Sequence, residues 1–232
     1  VANIEALTQH YQVWAVDLPG LGASGALASG YTADDAVGAF IAGCRALESL
    51  QPYHLIAFSW GCAVSSQAAL QLGESVKSLT LIGPASIGDV SRKGGMRPLQ
   101  RRRLDMSASE LEALHRVNLS HLMISDPAKI DALALRVQAI NTEQARFNSP
   151  KFAKNRMVLD AVAQLRLPIQ VIYGDQDGPA LPDVASKGAL FFAENTEVQF
   201  ELVPNCGHWL AFEQPEVFLA LMHAWIKRCA SG

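Results

Sequence analysis

Residues 53–66 read YHLIAFSWGCAVSS: an apolar run from Tyr53 to Phe58, one serine at position 59, then a series of small residues. A short apolar run bounded by a turn suits a strand buried on both faces, and the small residues after it suit a helix packed closely against that strand. A serine at the apex of so sharp a turn projects its hydroxyl beyond the C-terminal edge of a sheet, where the N–H groups of the following helix converge. Ala57 and Gly61, two positions to either side, keep bulk away where the backbone passes neighbouring elements. Standing alone, the same serine would read equally well as a helix N-cap.

Further runs of this kind lie along the chain. Val13 to Leu18, His54 to Phe58, Ser78 to Ile82 and Ile169 to Tyr173 are expected as buried parallel strands, each separated from the next by helical or loop sequence. Val198 to Val203 alternates apolar and polar residues and is expected as an edge strand with one wet face. Helices are expected over Thr32 to Leu50, Trp60 to Leu72 before Gly73, Ala128 to Phe147 after Asp126-Pro127, and Pro215 to Arg228. This is an α/β pattern with a mainly parallel sheet. Between Ala85 and Leu167 the strand rhythm stops, so 86–167 reads as a helical insertion carried by a core made of 1–85 and 168–232.

Composition narrows the function classes. The chain has 232 residues, half of them hydrophobic, and a formal net charge of -3, which gives no reason to expect nucleic acid or an anionic membrane as partner. It has no apolar run of the roughly 20 residues a spanning helix needs and no signal-peptide pattern at its start, so a cytoplasmic location is expected. Cys44, Cys62, Cys206 and Cys229 lack metal-site spacing and are expected as free thiols. Neither a P-loop nor a dinucleotide fingerprint occurs, and no cofactor or metal is expected.

Two later loops complete a chemical pattern. Ile169 to Tyr173 runs into Gly174-Asp175-Gln176-Asp177, and Val198 to Val203 into Pro204-Asn205-Cys206-Gly207-His208-Trp209. Serine, acid and histidine thus follow in that order, each after a strand. A serine hydroxyl needs an imidazole to take its proton, and the imidazole needs a carboxylate to fix its tautomer.

With these loops, and with Asp17-Leu18-Pro19-Gly20-Leu21-Gly22-Ala23-Ser24-Gly25 after an early strand, the chain resembles the α/β-hydrolase-fold serine hydrolases that carry a helical cap. Alanine stands at position 57 where that family usually has glycine. The resemblance implies Ser59 as nucleophile, His208 as general base and acid, and Asp177 as the orienting carboxylate. Asp175 is the rival acid, with a turn role as its alternative. It also implies the Trp60 N–H as one oxyanion donor, and Phe58, Trp209 and Leu210 line either an acyl pocket or the core. His54 and His223 are read as structural, and Asp17 and Asp34 as loop braces or caps.

The activity implied is hydrolysis of short or medium acyl esters through an acyl-enzyme. Two alternatives stay open: a carbon-carbon bond hydrolase of ring-cleavage products, and a non-catalytic receptor for a small ligand. The family's His-Gly or Gly-Gly oxyanion loop has no counterpart here, so the first three strands are expected to be absent, through truncation, natural repacking or completion by a partner chain. Self-association through the N-terminal edge of the sheet, with weak hydrolysis, is the corresponding expectation. Finally, Arg92, Lys93, Arg97, Arg101, Arg102 and Arg103 form a basic cluster that reads as a solvated face or as a lure for anionic substrates, beside a Gly94-Gly95 hinge.

Overall fold

Four of the five expected strands join one sheet. The computed structural model describes residues 2–47, 52–89 and 95–230. Its elements in chain order are α1 (Ala2–Thr8), α2 (Ala33–Ala46), β1 (Tyr53–Phe58), α3 (Trp60–Leu72), β2 (Val76–Ile82), α4 (Ala108–Leu122), α5 (Ala132–Gln144), α6 (Met157–Val162), β3 (Ile169–Gly174), α7 (Lys187–Glu194), β4 (Gln199–Val203), α8 (Leu210–Glu213) and α9 (Pro215–Ala230). The sheet is wholly parallel in the order β1-β2-β3-β4. Helices cover both faces, so β2 is buried at all but Lys77 and β3 along its whole length. This is an α/β arrangement, a parallel sheet between helices.

One face packs against α2, α3, α6 and α7 through Leu79, Leu81, Val171, Val64, Val158 and Phe191. The other packs against α1 and α9 through Ile82, Ile172, Val203, Leu7, Phe218 and Met222. Three local signals in the sequence set helix ends. Thr32 caps α2 in a capping box with Asp35, Ser107 does the same for α4 with Glu110, and Asp131 accepts a hydrogen bond from the Ala134 N–H to start α5. The cap at Asp131 explains why α5 begins later than the expected Ala128, while Pro127 to Lys129 form a separate 3₁₀ turn.

The fifth run departs from expectation. Residues 12–18 have no strand ladder, and Trp14 and Val16 are 55% and 57% exposed. A strand depends on its neighbour as much as on its own residues, because each extended N–H and C=O needs a partner across the ladder. No described strand lies beside this run, so its aromatic and β-branched residues do not make it one. Among the described residues β1 is therefore a sheet edge, with Ile56 and Phe58 about 40% and 39% exposed.

Within 86–167, α4 and α5 pack on each other. Leu119, Ile124, Ile130 and Ala134 form a small third cluster there with Trp209 and Phe212. By contrast, Val158, Leu159, Ala161 and Val162 of α6 are buried in the main core. Among the described residues, no helix is long and apolar enough to cross a membrane. Arg92, Lys93 and Gly94 lie outside the described residues; Arg103 of the same cluster is exposed and paired with Asp105 and Glu110.

Candidate active site

Ser59 stands between β1 and α3 at φ 53°, ψ -118°, a backbone conformation that residues other than glycine rarely adopt. Neighbouring chain holds it there. Its N–H donates to the Ile82 carbonyl at 2.9 Å, and its own carbonyl accepts from the Cys62 and Ala85 N–H groups. Strain maintained by such surroundings is characteristic of functional turns. The Trp60 N–H is the first donor of α3 and makes no hydrogen bond among the described residues. The Trp60 ring is buried and stacks on both Phe147 and Phe152, at 5.4 and 5.3 Å.

Asp177 and His208 come together from the loops after β3 and β4. Their side chains are 1% and 2% exposed, and His208 Nδ1 lies 2.7 Å from Asp177 Oδ2. The carboxylate accepts, so Nδ1 carries the proton and the Nε2 lone pair is left available. Asp177 Oδ1 also accepts from the Ala180 N–H. Asp175, the rival acid, instead receives the Cys206 N–H at 3.3 Å and braces the histidine loop. Of the two acids, Asp177 is the one paired with the histidine, as the resemblance implied.

Ser59, Asp177 and His208 line one cavity of about 40 Å³ with Tyr173, Ser86 and Lys187, a space on the scale of one water molecule. Ser59 Oγ and the imidazole are not yet hydrogen-bonded, and such contacts commonly tighten only around a substrate. Gly83, at φ +52°, closes the near side: a Cβ there would stand 2.7 Å from His208 Nδ1 and 2.9 Å from Asp177 Oδ2. The Phe58 ring centroid lies 4.7 Å from that of His208, at the partly exposed side.

None of the three tentative pocket residues lines this cavity. Leu210 is 1% exposed and belongs to the core under α9, because α8 begins there and turns the side chain inward. Trp209 packs on Phe212 and the α4–α5 cluster. His54 bonds Ser78 Oγ inside the sheet, and His223 stacks on Tyr11, both structural as expected. Asp17 braces its loop by accepting the Ala23 N–H.

Three residues of the site escaped the sequence reading. Gly83 carries no motif. Lys187, buried to 6% exposure at the start of α7, looks in sequence like any lysine opening a helix. Glu213, 1% exposed, accepts four hydrogen bonds: from Ser125 N–H, Ser125 Oγ, Asp126 N–H and Gly207 N–H. It ties the histidine loop to the end of α4, and the only signal was an acid directly after the apolar run Trp209 to Phe212. The Trp209 N–H adds a bond to the Met123 carbonyl at 2.8 Å.

Cysteine chemistry is disfavoured beside this histidine. Burial, with the negative charges of Glu213 and Asp177, pushes the Cys206 thiol up to about 12, and burial raises the Cys62 thiol further still. Both remain protonated at neutral pH, and a protonated thiol is a poor nucleophile. Among the described residues no cluster of His, Cys, Asp or Glu could hold a metal ion. What the arrangement can do is general-base activation of a hydroxyl or a water beside an oxyanion donor.

Comparison with known proteins gives a consistent picture. The Alpha/beta hydrolase family matches residues 2–221. A 2-hydroxy-6-oxo-6-(2'-aminophenyl)hexa-2,4-dienoic acid hydrolase from Metapseudomonas resinovorans is 22% identical over 98% of this chain and 78% of its own length. The dihydrolipoyllysine-residue acetyltransferase component of the acetoin cleaving system of Cupriavidus necator is 32% identical over 92 residues, 40% of this chain and 24% of that longer protein. Among solved structures, the esterase RhEst1 from Rhodococcus sp. ECU1013 superposes with a TM-score of 0.75 at 22% identity, covering 98% of this chain and 84% of that one. The meta-cleavage product hydrolase CumD from Pseudomonas fluorescens IP01, complexed with acetates, gives 0.72 at 18% identity, covering 97% and 83%.

Proposed function

The chain belongs to the alpha/beta hydrolase family, and from that premise we propose that it is a carboxylic ester hydrolase acting through Ser59, His208 and Asp177. The observation that carries this reading is the buried 2.7 Å His208–Asp177 pair opening on the same cavity as the strained Ser59. Ser59 Oγ attacks the ester carbonyl carbon while His208 Nε2 takes its proton. The resulting oxyanion accepts the Trp60 N–H, and Asp177 stabilises the imidazolium. Collapse breaks the bond to the alkoxide, which leaves with the proton from His208, and an acyl-enzyme remains. A water, deprotonated by His208, then attacks the acyl carbon. The acid departs and Ser59 recovers its proton. The water-sized cavity against His208 is a suitable seat for that second nucleophile. We assign the role of a lid to the insertion 86–167, carried by α4 and α5, with α6 as its root in the core.

Hydrolysis of a carbon-carbon bond is the second reading, favoured by likeness to the dienoic acid hydrolase over 98% of this chain. It would use the same three residues. Steady-state turnover of p-nitrophenyl butyrate against a 2-hydroxy-6-oxo-hexa-2,4-dienoic acid separates the two. Higher kcat/KM on the ester is expected; higher kcat/KM on the dienoic acid assigns the second reading, and turnover of neither by folded protein removes both.

A further inference from the structure

The larger cavity lies away from the triad. A cleft of about 510 Å³ separates the first half of α4 from α5, a volume within the range that holds a small organic molecule. Leu111 on α4 and Leu135 and Ala139 on α5 give it apolar walls, and they recur at helical spacing, so each helix turns one face to the cleft.

Of its polar groups, His115, Arg102, Arg136 and Glu143 are uncommitted among the described residues. His115 is 7% exposed, and its Nδ1 is buried with no hydrogen-bond partner. Burial, and then the charge of Arg102, lower the pKa of this imidazole, so it is neutral at pH 7. A neutral ring with one orphaned nitrogen is better served by leaving a lone pair there than an N–H, so the proton rests on Nε2. His115 lines the cleft, and its Nε2 makes no hydrogen bond among the described residues. At the rim, Arg116 is committed to the Ile130 carbonyl and to Glu112. Arg102 and Arg136 make no hydrogen bond or ion pair among the described residues, and Glu143 is the single uncommitted acid. An apolar slot with a buried donor and two free guanidiniums suits an acceptor-only, anionic head on an apolar body.

We propose that the α4–α5 cleft is a second ligand site, distinct from the triad, that takes a medium-chain carboxylate with its head toward His115, Arg102 and Arg136. Octanoate has the right chemistry and size as a probe. The experiment photolyses the intact chain with a diazirine-bearing octanoate and maps adducts by peptide mass. Saturable labelling is expected within 108–116 and 132–143, protected by excess octanoate and not by octanol. In the Arg102→Gln/Arg136→Gln variant, whose side chains are exposed and whose melting temperature should match the parent, labelling at a fixed probe concentration should fall by about fivefold or more. Labelling confined to other segments, the triad loops included, overturns the proposal. So does equal protection by octanol, undiminished labelling of the double variant, or no saturable labelling. The readout does not use catalysis, so it stands or falls apart from the ester hydrolase reading.

Discussion

Adding a single methyl group behind the triad, as in Gly83→Ala, should disable the site while leaving the fold intact. The new Cβ would stand 2.7 Å from His208 Cε1 and Nδ1 and 2.9 Å from Asp177 Oδ2. Non-bonded carbon contacts settle near 3.5 Å, so the imidazole must retreat by about 0.8 Å. That movement lengthens the His208–Asp177 hydrogen bond, now 2.7 Å, to as much as about 3.5 Å and outside its normal range. Displacement of a catalytic group on the order of 1 Å costs about 10²-fold in rate. The backbone adds its own cost, because alanine at φ +52° is disfavoured by about 1–2 kcal/mol. For a chain of this size that corresponds to a fall of roughly 2–8 °C in melting temperature. The assay is kcat on p-nitrophenyl butyrate beside a thermal melt. A cooperative melt with kcat down about 100-fold is the expected result. Undiminished kcat would show that His208 does not work from the position seen here.

Other perturbations test separate links. Asp177→Asn should lower kcat by about 10⁴-fold by favouring the wrong imidazole tautomer, whereas Asp175→Asn, which loosens only the bond to the Cys206 N–H, should leave kcat within a few fold. The reverse order in an ester assay would exchange the two acids. Glu213→Ala strands four hydrogen-bonding groups and should destabilise by about 3 kcal/mol, with Glu213→Gln intermediate; a melt shifted by less than about 2 °C would show that water replaces them. His54 supplies a pH signature: burial, then Lys77, lowers its pKa in the folded chain, so the unfolded chain takes up the proton first. Its contribution is whole above about pH 6.5 and is lost as pH falls from there through the lower folded value. Melting temperature should therefore drop on acidification below pH 6.5, less steeply in His54→Gln, and an unchanged slope in that variant would exclude His54 as a source.

Much of this was legible because strand, turn and helix signals agree locally. At 53–72 the apolar run, the lone serine and the small residues all specify one geometry, and β1, Ser59 and α3 follow it. Val13 to Leu18 had the same local signal and made no strand, since pairing is set by what lies alongside and not by the run itself. Leu210 was ambiguous for a related reason: an apolar residue next to a catalytic loop can face the site or the core, and only the turn into α8 decides. Glu213 and Gly83 act through contacts between loops distant in sequence, and Lys187 lines the cavity far along the chain from Ser59; such relations leave little local pattern to read.

The central claim is that Ser59 is a nucleophile activated by His208. The direct measurement is covalent: react the intact chain with a fluorophosphonate, digest it, and locate the adduct by mass. One adduct is expected, on the peptide containing Ser59, with none in Ser59→Ala and labelling slowed by orders of magnitude in the folded His208→Gln variant. Folded protein that takes up no label, or a Ser59 adduct formed equally fast without His208, would contradict it.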